Sequence, residues 1–345
     1  MTTYPEIQKI SSRKFGVIDF ISKGPNNHGS YVNANKFVKR NIDHIAPSDA
    51  KNILIFDFTW FDNIDHSLLD YLRSGKAPYD YILMCNLFDG WLETYREYYL
   101  ELKEHYQVNI IGPQPIEPEN FFNFHEYNVA SWKDKNPDLF YTHHQKFNEL
   151  HDLDTQILRY PFLYYGGGIS KDRLQFVTDC VDRDLIIFDP VITLGLEGSM
   201  SDAQGQHYPD SLGDPGCWID SVVNIVSESR SGRMQTEESS DYFLTEKTYK
   251  PILAFKPFIH INQPKMFTDY MKDSCGYKLY NSFFGLPDYE PTNQQVVDSL
   301  WKISNMSNRD RNLFYKSMLP TIEHNYQNLQ TRADRISKMF IGRNA

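Results

Sequence analysis

Val222–Ser229 reads VVNIVSES, and Asp241–Asn262 reads DYFLTEKTYKPILAFKPFIHIN. The first stretch is a short run rich in β-branched residues that ends near Glu228, which predicts a buried strand. In the second, YFLTEKTYKPILAF has helical spacing, and its helix opens on Thr245, Glu246 and Lys247. Ser240 or Asp241 is the expected N-cap. KPFIHIN (Lys256–Asn262) then predicts another strand. Strand, loop, helix, strand is the unit of a parallel sheet, because parallel neighbours need a long crossover.

The same alternation extends in both directions. Upstream, ILRYPFLYYGGG (Ile157–Gly168) predicts a strand entering a glycine turn, SKDRLQFVTDCVDR a helix, and DLIIFDPVI (Asp184–Ile192) a strand. Residues 193–217 read as a loop. Earlier still, FGVIDFI (Phe15–Ile21), NILIFDFTW (Asn52–Trp60), YDYILMCNLF (Tyr79–Phe88) and VNIIGP (Val108–Pro113) predict strands, separated by helical stretches such as SLLDYLRSG and WLETYREYYLELKEHY. Residues 114–155, with Pro115, Pro118 and Pro137, read as an irregular connection with a short helix. The tail from Ser304 reads as two helices with a break at Pro320. The expected class is therefore α/β, with two Rossmann-like domains facing a cleft. Their expected bounds are 1–150, 151–320, and a C-terminal helix over 321–345 that can return to the first domain.

Composition narrows the function classes. A chain of 345 residues with 41% hydrophobic and 15% aromatic content can build cores and suits two domains. Its net charge of −10 argues against bulk attraction to nucleic acid. The charge is uneven: residues 251–345 hold 12 Lys/Arg against 8 Asp/Glu, leaving 23 against 37 before them. Arg309, Arg311, Lys316, Arg332, Arg335, Lys338 and Arg343 form a basic tail suited to an anionic partner. Cys85, Cys180, Cys217 and Cys275 have neither zinc-site nor redox-motif spacing and read as free thiols. The N-terminus MTTYPEIQKI lacks the apolar core of a secretory signal, and no apolar run reaches the length of a membrane span. The expected location is cytoplasmic.

In such sheets ligands bind beyond the carboxyl ends of the strands. After the strand that ends near Glu228, the helix opening at Thr245 offers backbone N–H groups and a positive dipole end to a diphosphate. Lys247 adds a charge, and Glu246 can accept from ribose hydroxyls. In YYGGGISKDR (Tyr164–Arg173), the glycines allow close backbone approach, and Lys171 and Arg173 suit phosphate. In SKGPNNHGSYVN (Ser22–Asn33), Asn27 and His28 are candidates for the acceptor side. Ser30-Tyr31 stands where a P-loop needs Lys-Ser/Thr, and no GxGxxG follows a strand, which disfavours an NAD enzyme. The DxD-like strings Asp152–Asp154 and Asp182–Asp184 and the adjacent His143 and His144 do not suit a metal site, so none is expected.

An acidic residue closing a strand, then FLTEK at a helix start, then PFI on the next strand, resembles the donor site of the α1,3-fucosyltransferase family. It is also similar to related short bacteriophage and bacterial glycosyltransferases. The resemblance covers roughly 156–262. It implies a GT-B fold and an inverting, metal-independent hexosyl- or pentosyltransferase. The co-substrate would be a UDP- or GDP-type sugar, with no further cofactor. The acceptor would be a glycan or a hydroxymethylated DNA base. It further implies that Glu246 holds the ribose, Lys247 contacts the phosphates, Glu228 sits beside the donor, and a basic residue near Arg173 neutralises the leaving diphosphate. This chain carries Phe243 in place of a common Tyr, and GGG with Asp-Arg where relatives often carry Asn and a His-Arg pair. An inverting transfer needs a base. Asp57, Asp62 and Asp89, which follow strands, are the candidates. The alternative is a noncatalytic nucleotide-sugar-binding or interaction protein on the same fold.

Overall fold

A computed structural model of the chain describes residues 7–10, 17–21, 50–57, 66–85, 92–112, 121–123, 126, 129–130, 158–168, 171–188, 191–195, 218, 220–228, 244–261 and 265–341. The fold is mixed α/β. The chain divides into two compact units, Met1–Phe124 with Arg230–Phe243 and Arg332–Ala345, and His125–Ser229 with Leu244–Thr331. Among the described residues no helix is long and apolar enough to cross a membrane.

The first unit holds β1 (Ile7–Ile10), β2 (Val17–Ile21), β3 (Asn52–Asp57), β4 (Tyr81–Cys85), β5 (Gln107–Gly112) and β6 (Phe121–Asn123) in one sheet, in sequence order. β1 runs antiparallel to β2, and every later neighbour is parallel. Helices α1 (His66–Arg73) and α2 (Leu92–Lys103) make the crossovers from β3 to β4 and from β4 to β5. Ile53, Leu54 and Ile55, with Tyr81, Ile82, Leu83 and Met84, are fully buried. Burial on both faces explains why these runs are continuously apolar rather than alternating. Leu72 and Leu102 anchor the two helices in the core. Arg73 ties one helix to the other: its Nε meets Glu101 at 2.5 Å and its guanidinium lies 4.2 Å from the Tyr98 ring centre.

The second unit holds a four-stranded parallel sheet in the order β10-β9-β7-β8. Its strands are β7 (Tyr160–Gly168), β8 (Val191–Gly195), β9 (Ser221–Val226) and β10 (Phe258–His260). All six residues of β9 are buried. Helices α3 (Lys171–Asp182), α4 (Glu246–Leu253), α5 (Asn293–Ser304) and α6 (Asn308–Ile341) belong to the same half of the sequence. Phe176, Tyr249, Val296, Leu300, Tyr315 and Ile322 supply their core faces.

Four expectations are corrected. Asp184–Ile192 does not form one strand: Leu185–Phe188 is a 3-10 turn, and β8 begins at Val191 and runs into the expected loop. α3 closes with Asp184 at a φ of 59°, and Ile187 is 75% exposed, so this apolar run is not spent on burial. A short apolar run carries no periodicity that separates these outcomes. Residues 114–155 contain a strand, β6. Pro320 lies inside α6 and does not end it. Met318, Leu319 and Ile322 are buried on either side, and this packing outweighs the lost N–H. Arg311 is no part of an exposed basic face, being 8% exposed. Its guanidinium donates to the Ile303 and Ser304 carbonyls at 3.2 and 2.6 Å and to that of Arg159 at 3.3 Å. A cation on the last carbonyls of α5 suits the negative end of the helix dipole. Arg309 and Lys316 are exposed.

Candidate functional site

The strand order of the second sheet marks where a ligand fits. From β7 the chain crosses through α3 to β8 on one side. It then returns to β9 on the other side and moves outward through α4 to β10. The winding direction therefore reverses between β7 and β9, and the crevice at such a reversal is the usual binding position in open α/β sheets. β7 pairs with β9 as far as Tyr164 opposite Ile225, and with β8 as far as Gly168 opposite Gly195. A register shift falls between Tyr165 and Gly167.

Glu228 follows β9 and reaches the start of α4. Thr245, not Ser240 or Asp241, is the N-cap: its backbone is extended and its hydroxyl accepts from the Lys247 N–H at 3.4 Å. The Thr245 N–H donates to Glu228 Oε1 at 3.0 Å and its hydroxyl to Oε2 at 2.5 Å. The Thr248 hydroxyl also donates to Glu228 Oε1. One carboxylate thus fastens the end of β9 to the first turn of α4. The physical reason for the corrected cap is nonlocal: a threonine whose N–H and O–H both meet a carboxylate is held extended, which is the N-cap conformation.

His260, on β10, completes this network. Its Nε2 lies 2.9 Å from Thr248 Oγ1. Thr248 has one hydroxyl proton, which goes to Glu228, so His260 Nε2 carries the proton of the second contact. Burial pushes the imidazole down to about 3, which keeps it neutral. Burial also pushes the Glu228 carboxyl above its ordinary range, opposed by the Lys247 charge and the two threonine donors. Lys247 Nζ lies 3.3 Å from Thr245 Oγ1 and 3.4 Å from Glu246 Oε1.

Arg173 and Lys171 have opposite settings. Lys171 is the first residue of α3 and is exposed. Arg173 is 6% exposed, and its Nη2 donates to the Ser227 carbonyl at 3.2 Å. It lies under the turn that presents Glu228, bracing the end of β9. A small pocket lies beside the network, lined by Tyr165, Trp218, Asn224, Ile225, Val226, Lys247 and Lys250. The Tyr165 and Trp218 rings meet at 5.6 Å between centroids.

The structure therefore brings Glu228, Thr245, Glu246 and Lys247 together, with Arg173 beneath. Asn27, His28, Asp62 and Asp89 lie outside the described residues, and Asp57 is described only as backbone at the end of β3. Among the described residues no group of His, Cys, Asp or Glu forms a metal cluster. Sequence reasoning missed Thr248, His260, Tyr165, Trp218, Asn224 and Lys250. The 12-residue separation of Thr248 and His260 carries no signal, because one lies on α4 and the other on β10. Lys250 stands three residues after Lys247, a helical spacing that was readable. Compared with family models, curated proteins and solved structures, the chain matches none.

Proposed function

We propose that the chain is an inverting, metal-independent glycosyltransferase of GT-B type. It would move a sugar from a nucleoside-diphosphate sugar to a hydroxyl acceptor, either a glycan or a hydroxymethylated DNA base. One observation carries the reading. At the winding reversal of the second sheet, a helix N-terminus bearing Lys247 is fastened by Glu228 beside a pocket with an aromatic wall. The motif resemblance around FLTEK points the same way.

The chemistry assigned to these groups follows from charge. As the acceptor oxygen attacks the anomeric carbon, the bond from that carbon to the diphosphate breaks, and the leaving group takes the electron pair. Lys247 and the positive end of the α4 dipole meet the negative charge that develops there. Glu246 accepts from the ribose hydroxyls. Glu228, tied to both threonines, positions the helix end. The acceptor proton goes to a base, sought among Asp57, Asp62 and Asp89. The test is release of free nucleoside diphosphate from UDP- and GDP-sugars, with glycans and hydroxymethylated DNA as acceptors. Acceptor-dependent release supports the reading. Donor binding with no release from any pair supports the noncatalytic alternative.

A further inference from the structure

α3 carries an exposed apolar stripe away from its core face. Arg173, Phe176 and Cys180 are its buried positions, at i, i+3 and i+7. Leu174 and Val181, seven residues apart and so on one face, are each 52% exposed. Thr178 between them is also exposed, and its hydroxyl donates to the Leu174 carbonyl at 2.9 Å, so it brings no unpaired donor to the stripe. The turn directly after α3 leaves Ile186 46% and Ile187 75% exposed. One exposed leucine is ordinary, but four large aliphatic side chains on one helix and the turn it feeds mark a contact surface.

The charges of α3 indicate what covers it. A helix is stabilised by acids in its first turn and by cations in its last. The exposed ends of α3 are arranged the other way. Its first residue is the exposed Lys171, its last turn holds Asp179 and Asp182 with no basic residue, and the exposed Asp184 follows. Within the helix only Asp172 is placed with the dipole. Gln175 donates to Asp179 at 2.8 Å. Arg183, next in the chain, turns to α5, where it meets Asp298 at 3.1 Å and lies 4.8 Å from the centre of the Trp301 ring. A charge order that is unfavourable within one helix becomes favourable between two antiparallel copies. The basic start of each then lies at the acidic end of the other.

We infer that α3 is a dimer contact, packed antiparallel on α3 of a second copy of this chain about a two-fold axis. The midpoint between Leu174 and Val181 falls at Val177–Thr178. About that point, Leu174 of each copy faces Val181 of the other. Lys171 of each faces Asp184 of the other, with Asp182 beside it. Such a contact is self-complementary, so every pair occurs twice. One helix pair with its adjoining turns lies at the small end of specific interfaces, which sets a dimer of micromolar strength. The pairing does not involve the α4 N-terminus, so it stands or falls apart from the donor site.

The test is sedimentation velocity of the full chain from about 1 to 100 μM. The variants are Val181→Glu, Lys171→Glu, Asp182→Lys and the Lys171→Glu, Asp182→Lys double variant. The wild type is expected to pass from monomer to dimer over this range, and Val181→Glu to lose the dimer. Each single charge reversal weakens the dimer about tenfold, and the double variant recovers it, because the charges on both sides are exchanged together. Misfolding does not mimic this pattern. Lys171→Glu and Asp182→Lys each agree with the α3 dipole, so their thermal midpoints, read where the chain is monomeric, stay level or rise. A wild type that is monomeric throughout overturns the inference. So does a dimer that survives Val181→Glu, or a double variant that dimerises no more tightly than the single ones.

Discussion

The two ends of α4 are closed by opposite means. At its N-terminus, Glu228 accepts from the Thr245 N–H and from two threonine hydroxyls, and His260 supports one of them. These contacts are polar, with Glu228 half-buried and Thr245, Thr248 and His260 buried, and Lys247 beside them lines a pocket. At its C-terminus the chain turns on Phe255, a bulky residue at a φ of 55°. The Phe255 N–H bonds the Ile252 carbonyl at 3.2 Å and the Lys256 N–H bonds the Pro251 carbonyl at 2.8 Å, a Schellman closure in which glycine is usual. Phe255 stacks on Tyr326 at 4.2 Å between centroids, and its carbonyl accepts from the Tyr315 hydroxyl. Lys256 beside it is 2% exposed, donates to the Ser221 carbonyl at 2.8 Å and is lowered to about 7 by burial. One end is built from groups that can meet a ligand; the other is built from packing that holds the first in place. A left-handed phenylalanine persists only where its ring contributes more than the backbone strain costs.

That contrast gives separable predictions. Phe255→Ala removes the stacked ring and keeps the strained backbone, so it should lower stability by about 3–5 kcal/mol in chemical denaturation. Below its melting temperature, the folded fraction should bind nucleoside diphosphate as the wild type does. Glu228→Ala should do the reverse. It leaves three donors without their acceptor and costs about 1–3 kcal/mol of stability. Its larger signature is a weakening of diphosphate affinity of at least about tenfold, about 1.4 kcal/mol. If the two variants show the same ratio of stability loss to affinity loss, the two ends are not functionally distinct.

The smallest effect at neutral pH belongs to His260. Its folded value of about 3 lies below its ordinary value of 6.5, so between these the unfolded chain binds a proton that the folded chain does not. Stability from this group is therefore present above about pH 6.5 and is lost as pH falls toward 3. Glu228 acts in the opposite sense. Its raised folded value makes stability fall as pH rises from the ordinary carboxyl range through that value. His260→Gln keeps a donor for Thr248 and removes the titration, so its melting temperature should fall less than the wild type's below pH 6.5. An identical acid profile in the two proteins would remove His260 from the network.

How much of this was legible in the sequence depends on the range over which each feature is decided. The strand runs were legible because burial on both faces writes itself as consecutive apolar residues, as in Ile53–Ile55 and Tyr81–Met84. The start of α4 at Glu246 was legible from its composition. Its cap was not, because Thr245 is fixed by Glu228, 17 residues earlier. Arg311 read as a surface charge, since nothing near it in the chain announces the carbonyls of Leu158 and Arg159 that it meets. The start of α5 was available and overlooked: Thr292 and Gln295 form a capping box, a local pattern. The pocket wall joins Tyr165, Trp218 and Asn224 across separate elements, so no spacing along the chain predicts it.

The central claim is that the N-terminus of α4 holds the diphosphate of a nucleotide donor. Calorimetric titration with UDP, CDP and GDP, on the wild type and on a Glu246→Ala, Lys247→Ala double variant, tests it most directly. The account predicts micromolar binding of at least one diphosphate by the wild type and loss of that binding in the variant, with the melting temperature little changed. Binding of equal strength in both proteins, or no binding of any diphosphate by the wild type, would contradict it.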